Sequence, residues 1–158
     1  MRFMAIPRLI QGFEGNWVGT STLHCPWPPE VDPIRSGEST VSCAFDPTGS
    51  FAKISLVWNE NGPQFSEFLI CGSRTRDDVS CGWTDSWHLS NEVMMLRGTG
   101  IDGNVVDVQG TYRVEGHPEW GWRIAFSRSE LGELKLGMFN ISPEGQEEWA
   151  VRAIYNRV

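Results

Sequence analysis

The chain has 158 residues and a formal net charge of −7, with 40% hydrophobic and 21% charged residues. That length predicts one domain with a sizeable core, and the composition excludes a disordered chain. Its 13 Lys and Arg are dispersed, only Arg74 and Arg76 approaching a patch, so neither nucleic acid nor an anionic membrane is an expected partner.

No stretch approaches the ~20 apolar residues that cross a bilayer. The apolar run over residues 1–6 breaks at Pro7 and Arg8, before a signal-peptide core could form, so a cytoplasmic location is expected. Cys25, Cys43, Cys71 and Cys81 include no C-x-x-C pair and are expected to be reduced, inert thiols.

A short helical turn is predicted over 7–12, with Pro at its start and Gly at its end. Ten strand-like segments follow, near 13–24, 38–45, 51–59, 64–72, 78–87, 92–99, 104–114, 121–128, 133–141 and 147–157. Alternation is clearest late in the chain. Val106, Val108, Gly110, Tyr112 and Val114 face one way, Asp107, Gln109, Thr111 and Arg113 the other. Trp122, Ile124 and Phe126 likewise oppose Arg123, Ala125 and Ser127. Turn signals such as Asp46-Pro47-Thr48-Gly49, Asn61-Gly62, Asp102-Gly103 and Pro143-Glu144-Gly145 separate the segments.

Nearly every connection is hairpin-short. The expected fold is therefore all-β, an antiparallel up-and-down barrel of eight to ten strands that removes its own edges. One connection differs. Residues 25–37 carry four prolines and Trp27, and read as an ordered lid-like loop or as an Ω-loop that merely covers the surface.

Gly15-Asn16-Trp17, after a helical turn and at the start of the first strand, resembles the G-x-W signature of lipocalin-like (calycin) barrels. In those barrels an Arg of the last strand covers this Trp. Period two puts Arg157 on the face of Val151, Ala153 and Tyr155, so the resemblance implies a Trp17–Arg157 pair closing the base. A wider likeness runs through Phe13 to His24, Trp83-Thr84-Asp85-Ser86-Trp87-His88, Pro118-Glu119-Trp120-Gly121-Trp122-Arg123-Ile124, Met138 to Gly145 and Ala150 to Arg157. It resembles a bacterial calycin-type family of unknown function, of the DUF1579 type. That resemblance implies the fold and leaves the activity open.

Such a barrel holds either packed side chains or one small ligand. With Trp17 inside, Gly19 and Ser21 would leave room for a cavity. Trp58, Trp87 and Trp122 are the expected apolar walls, and Asp85, Tyr112 and Asn140 the expected polar anchors. Arg123 falls outside, which leaves Arg97 as the internal cation candidate. A buried Asp85 is expected to show a raised pKa or a firm partner such as Tyr112, or else to cap the turn that follows. The preferred reading is a binder of a small hydrophobic or aromatic molecule, with no cofactor required.

Three alternatives stand beside it. Asp85, Ser86 and His88 supply the residue types of a triad, but on a regular strand Asp85 would face away from the other two. Acid–base chemistry through Asp85 or His88 stays open. Gly15-x-Trp17-x-Gly19 also resembles haem-binding nitrobindin-like barrels, whose axial His lies towards the C-terminus. No His follows His117, so a haem or metal would need His88 or His24. Lastly, a filled barrel could act as an interaction scaffold through Trp27.

Overall fold

A computed structural model describes residues 5–73 and 75–158. Residues 1–4 of the N-terminal run, and Arg74 of the sparse basic patch, lie outside the described residues. After α1 (Arg8–Gln11) come β1 (Gly15–His24), β2 (Ile34–Phe45), β3 (Ala52–Asn59), β4 (Pro63–Ser73) and β5 (Asp78–Asp85). Then follow β6 (Met94–Thr99), β7 (Val105–Tyr112), β8 (Trp120–Arg128), β9 (Leu134–Ile141) and β10 (Glu147–Arg157). Each strand pairs antiparallel with its sequence neighbours, and β10 returns to β1, closing the barrel. The connections, none longer than the 25–33 loop, favour this order, since a short turn joins adjacent antiparallel strands.

The period-two pattern decides what lies inside. In β3, Ala52, Ile54, Leu56 and Trp58 are buried while Lys53 and Asn59 are exposed. In β7 and β8, Val106, Val108, Trp122, Ile124 and Phe126 are buried. β2 begins four residues earlier than the expected strand, at Ile34, which shortens the Pro-rich connection to 25–33.

The base is plugged by α1 and its flanks, where Ile6, Ile10 and Phe13 are fully buried. Trp17 stands edge-on to Phe13 with ring centroids 5.8 Å apart, and its indole N–H donates to the Phe13 carbonyl at 2.9 Å. Arg157, paired with Trp17 across β1 and β10, lies 4.3 Å over the Trp17 ring. Its guanidinium donates to the carbonyls of Gly12 at 2.7 Å and Glu14 at 2.5 Å.

Above the base the middle of the barrel is filled by stacked rings. Phe126 meets Phe68 edge-on, Phe68 stacks on Trp83, and Trp83 stacks on Trp122 at 5.5 Å and 6°. Gly19 and Ser21 do not open the expected cavity. A Cβ on Gly19 would stand 1.9 Å from the Ile154 carbonyl oxygen, so the missing side chain is spent on close approach of β10. Tyr155 occupies the neighbouring interior, and its hydroxyl hydrogen-bonds Ser39 at 2.8 Å.

Candidate functional site

The end of the barrel opposite Trp17 is organised by Asp85. β5 stops at Asp85, and the chain folds into a turn over 86–90 rather than continuing as a strand to 87. One carboxylate oxygen, Oδ1, accepts the backbone N–H groups of Trp87 and His88, each at 2.8 Å. The Asp85 carbonyl accepts from Leu89 and Ser90, both at 3.1 Å. An Asp at a strand end followed by these donors is the local signal that ends the strand.

The same turn swings His88 back over Asp85, with Nδ1 3.2 Å from Oδ1. Oδ2 accepts the Trp58 indole N–H at 3.2 Å and the Ser66 hydroxyl. Asp85 is only 2% exposed, so burial pushes its carboxyl up. The hydrogen bond and charge of His88, the Ser66 hydroxyl and the His88 backbone N–H outweigh burial and hold it below its ordinary value. The carboxyl is thus lowered rather than raised, and the other two expectations describe it: it has firm partners, His88, Trp58 and Ser66 in place of Tyr112, and it caps the turn that follows.

Tyr112 donates to Asn140 Oδ1 at 2.7 Å. Burial pushes the Tyr112 hydroxyl above its ordinary pKa, against the pull of Asn140. Arg97 is no internal cation. It is exposed and reaches Ser80 on the outer face at 3.3 Å, because the inward residues of β6 are Met94 and Leu96. Arg123 lies outside as expected, between Asp107 at 2.9 Å and Glu147 at 2.5 Å.

Around His88 the sequence converges four indoles. Its ring centroid lies 5.4 Å from Trp58, 5.8 Å from Trp83, 4.7 Å from Trp87 and 5.4 Å from Trp122. A cavity of about 200 Å³ opens here, lined by Trp83, Trp87, His88, Leu89, Met94, Tyr112 and Trp122. Three buried side-chain atoms have no hydrogen-bond partner among the described residues. They are the indole nitrogens of Trp83 and Trp122 and His88 Nε2, and all three belong to residues of this one cavity.

Of the expected site residues, Trp87, Tyr112 and Trp122 line the cavity. Trp58 and Asp85 stand behind His88 as its support, and Asn140 holds Tyr112 from outside. Trp83, Leu89 and Met94 are walls beyond the expected site residues. Trp83 was legible, since it shares the inward period of Asp85 on β5. Leu89 lies on the turn, where no period applies.

Asp85 does orient His88, because the strand ends and the alternation that would separate them no longer holds. Ser86 nonetheless takes no part. Its hydroxyl is exposed, donates to Gln64 Oε1 at 2.7 Å and accepts the Phe65 N–H at 2.9 Å. No triad forms. His24 is spent elsewhere, stacked on Trp149 at 4.9 Å with Nδ1 3.0 Å from the Trp149 carbonyl.

No cluster of three or more His, Cys, Asp or Glu could hold a metal among the described residues. Haem does not fit either. Drug-sized ligands occupy about 300–1,000 Å³; the cavity beside His88 is below that range, and a tetrapyrrole is not. All four cysteines are free, and burial pushes Cys43 and Cys81 up to about 12.

None of residues 25–33 lines the cavity, and Trp27 is 73% exposed. That loop is tied to its own base by Cys25 N–H to the Pro33 carbonyl at 2.8 Å, beside an Arg35–Glu60 ion pair at 2.9 Å. A larger depression of about 400 Å³ lies on the outer wall over β8, β9, β10 and β1. Its two arginines are already engaged, Arg123 by two carboxylates and Arg152 by the Trp149 ring at 4.2 Å, and none of its lining residues carries a buried unpartnered polar atom.

The fold and cavity define a closed ten-stranded up-and-down β-barrel with an aromatic chamber at one end. A solved structure with a similar fold is the crystal structure of Rv2717c from M. tuberculosis. It matches with a TM-score of 0.63 and 12% sequence identity, over 97% of this chain and 99% of that one. At that identity the likeness concerns the fold alone. No family model and no curated protein matches the sequence.

Proposed function

We propose that this chain binds a small hydrophobic or aromatic molecule in the cavity beside His88. The observation that carries the reading is that three unpartnered buried polar atoms all belong to residues lining one aromatic-walled chamber. Unpaired buried polar groups cost about 1–3 kcal/mol each. A ligand that met them would recover that cost, and apolar walls with sparse polar anchors are the usual make-up of a ligand site.

Within this reading the barrel is of the calycin type, akin to the DUF1579-type family, and works in the cytoplasm without a nucleic-acid or membrane partner. Two features support that. Arg35, Arg113 and Arg123 are in ion pairs rather than grouped in a patch. The outward faces carry charge, such as Lys53, Glu67, Arg123 and Lys135, which a lipid-facing strand would avoid. No helix among the described residues is long and apolar enough to cross a membrane.

The test is native mass spectrometry of freshly purified protein before and after incubation with a cell extract, alongside its tryptophan fluorescence. An added mass lost on denaturation, with altered emission, is the expected result, and His88→Ala and Asp85→Asn should each weaken it. A bare polypeptide mass and unchanged emission under both conditions would sink the reading.

The Asp85–His88 couple favours a second reading, acid–base chemistry on the bound molecule, since a carboxylate-oriented imidazole with a free Nε2 is the arrangement of a general base. Conversion of a bound compound that His88→Gln abolishes while binding persists would establish it.

A further inference from the structure

The kinds of atom left unpaired in the cavity point to the kind of ligand. Asp85 is held as a carboxylate, which can only accept, so the 3.2 Å contact requires the proton on His88 Nδ1. When uncharged, the imidazole then presents a bare lone pair at Nε2, buried and without a partner among the described residues. The other two orphans, the indole nitrogens of Trp83 and Trp122, are donors only. One acceptor and two donors therefore belong to side chains that line a single apolar chamber.

Few groups answer both at once. A carboxylate would satisfy the indoles but turn its lone pairs on Nε2. An ammonium would serve Nε2 and leave the indoles unmet, besides burying a charge. A plain hydrocarbon would leave all three unpaired. A hydroxyl donates through its hydrogen and accepts through its oxygen. The remainder of the ligand is set by the walls, which are flat indoles with Met94 and Leu89, and by the volume of about 200 Å³. An apolar cavity of about 150 Å³ is enough for benzene.

Building on the cavity-binding reading, we propose that the chamber recognises a single-ring phenol. Its O–H donates to His88 Nε2, its oxygen accepts from the indole N–H groups of Trp83 and Trp122, and its ring lies among the indoles. Asp85 acts as the positioning residue that fixes the His88 tautomer. Trp58 and Ser66 hold Asp85 in turn.

Phenol, anisole and toluene are the probes, titrated into the full chain by calorimetry and tryptophan fluorescence. Phenol is expected to bind about 30-fold or more tightly than toluene, because a site built around a hydroxyl discriminates against the analogue lacking it. Anisole, which accepts but cannot donate, should lose most of that advantage. In His88→Ala the preference for phenol over toluene should collapse while toluene binding persists.

Trp122→Phe keeps an aromatic wall and removes one donor, and should reduce the preference several-fold. It carries the test if near-ultraviolet circular dichroism shows that His88→Ala has not folded. Equal binding of phenol and toluene to the unaltered chain would overturn the phenol assignment and leave cavity binding standing. Binding of none of the three would overturn both. A preference unchanged in every folded variant would remove His88 and Trp122 from recognition and overturn the assignment.

Discussion

Tryptophan closes this barrel at both ends, and the two ends treat its indole differently. At the base, the Trp17 N–H is spent on the Phe13 carbonyl at 2.9 Å, and Arg157 covers the ring while bonding two carbonyls of the chain entering β1. At the other end Trp83 and Trp122 are just as buried, 1% and 6% exposed, yet neither N–H has a partner among the described residues, and His88 Nε2 joins them. The same residue type, equally removed from water, is satisfied where it holds the fold. It is left unsatisfied where a cavity remains. The difference separates structure from site better than burial or aromatic content does, because both ends score alike on those.

The polar groups that support the upper end are, by contrast, fully engaged, and breaking them should cost most. Asp85 accepts from Trp58, Ser66, two backbone N–H groups and His88. Asp85→Ala strands all of those donors, and removing one partner of a buried ionic group costs about 3–5 kcal/mol. For a domain of this size that should lower Tm by roughly 10 °C in calorimetry. A loss of only a degree or two would mean that the upper end is not built on this carboxylate.

Acid should act on the same group. The folded-state pKa of Asp85 lies below its ordinary value, whereas in the unfolded chain it titrates near about 3.9. The unfolded chain then binds the proton first, so Asp85's contribution is complete above that value and is lost as pH falls through the folded-state pKa. Tm measured between about pH 5 and pH 2 should fall more steeply for the unaltered chain than for Asp85→Asn. Parallel curves would refute the assignment of that acid limb to Asp85.

At the base, Arg157→Ala removes a cation over an indole and two charge-assisted hydrogen bonds to carbonyls. The residue is solvent-exposed, so a loss of ~2 kcal/mol is expected in chemical denaturation, with ligand binding untouched. A change in binding would show that the ends are coupled.

The base was legible through the likeness to lipocalin-like barrels, which sets an Arg of the last strand over the Trp of G-x-W; period two then chose Arg157, and the register pairs it with Trp17 directly. The strands themselves followed from alternation and turn residues. The upper site was half legible. Trp122 and Tyr112 lie on β8 and β7 and could be placed by counting. His88 could not, because it stands three residues beyond a strand that ends at Asp85, and its position depends on how Asp85 caps the turn. Strand geometry, extended past that point, sent Asp85 and His88 to opposite faces and hid their contact. The small residues at Gly19 and Ser21 misled in the other direction, since a missing side chain serves a close approach as readily as a void.

A pair of matched substitutions sharpens the contrast between the ends, although each effect is small. Trp17→Phe and Trp122→Phe delete the same atoms from equally buried rings, so the loss of volume is common to both. They differ in what the deleted N–H was doing. At Trp17 the change leaves the Phe13 carbonyl buried and unpaired, which adds about 1–3 kcal/mol to the volume cost. At Trp122 it removes a donor that had no partner, which recovers part of that cost. Urea denaturation should therefore place Trp17→Phe clearly below Trp122→Phe, with Trp122→Phe within ~1 kcal/mol of the unaltered chain. Phenol binding should rank them the other way, with Trp17→Phe retaining it and Trp122→Phe weakening it several-fold. If Trp122→Phe proved the more destabilising of the two, its N–H would have a partner in the folded chain, and the argument that this end is kept incomplete for a ligand would fail.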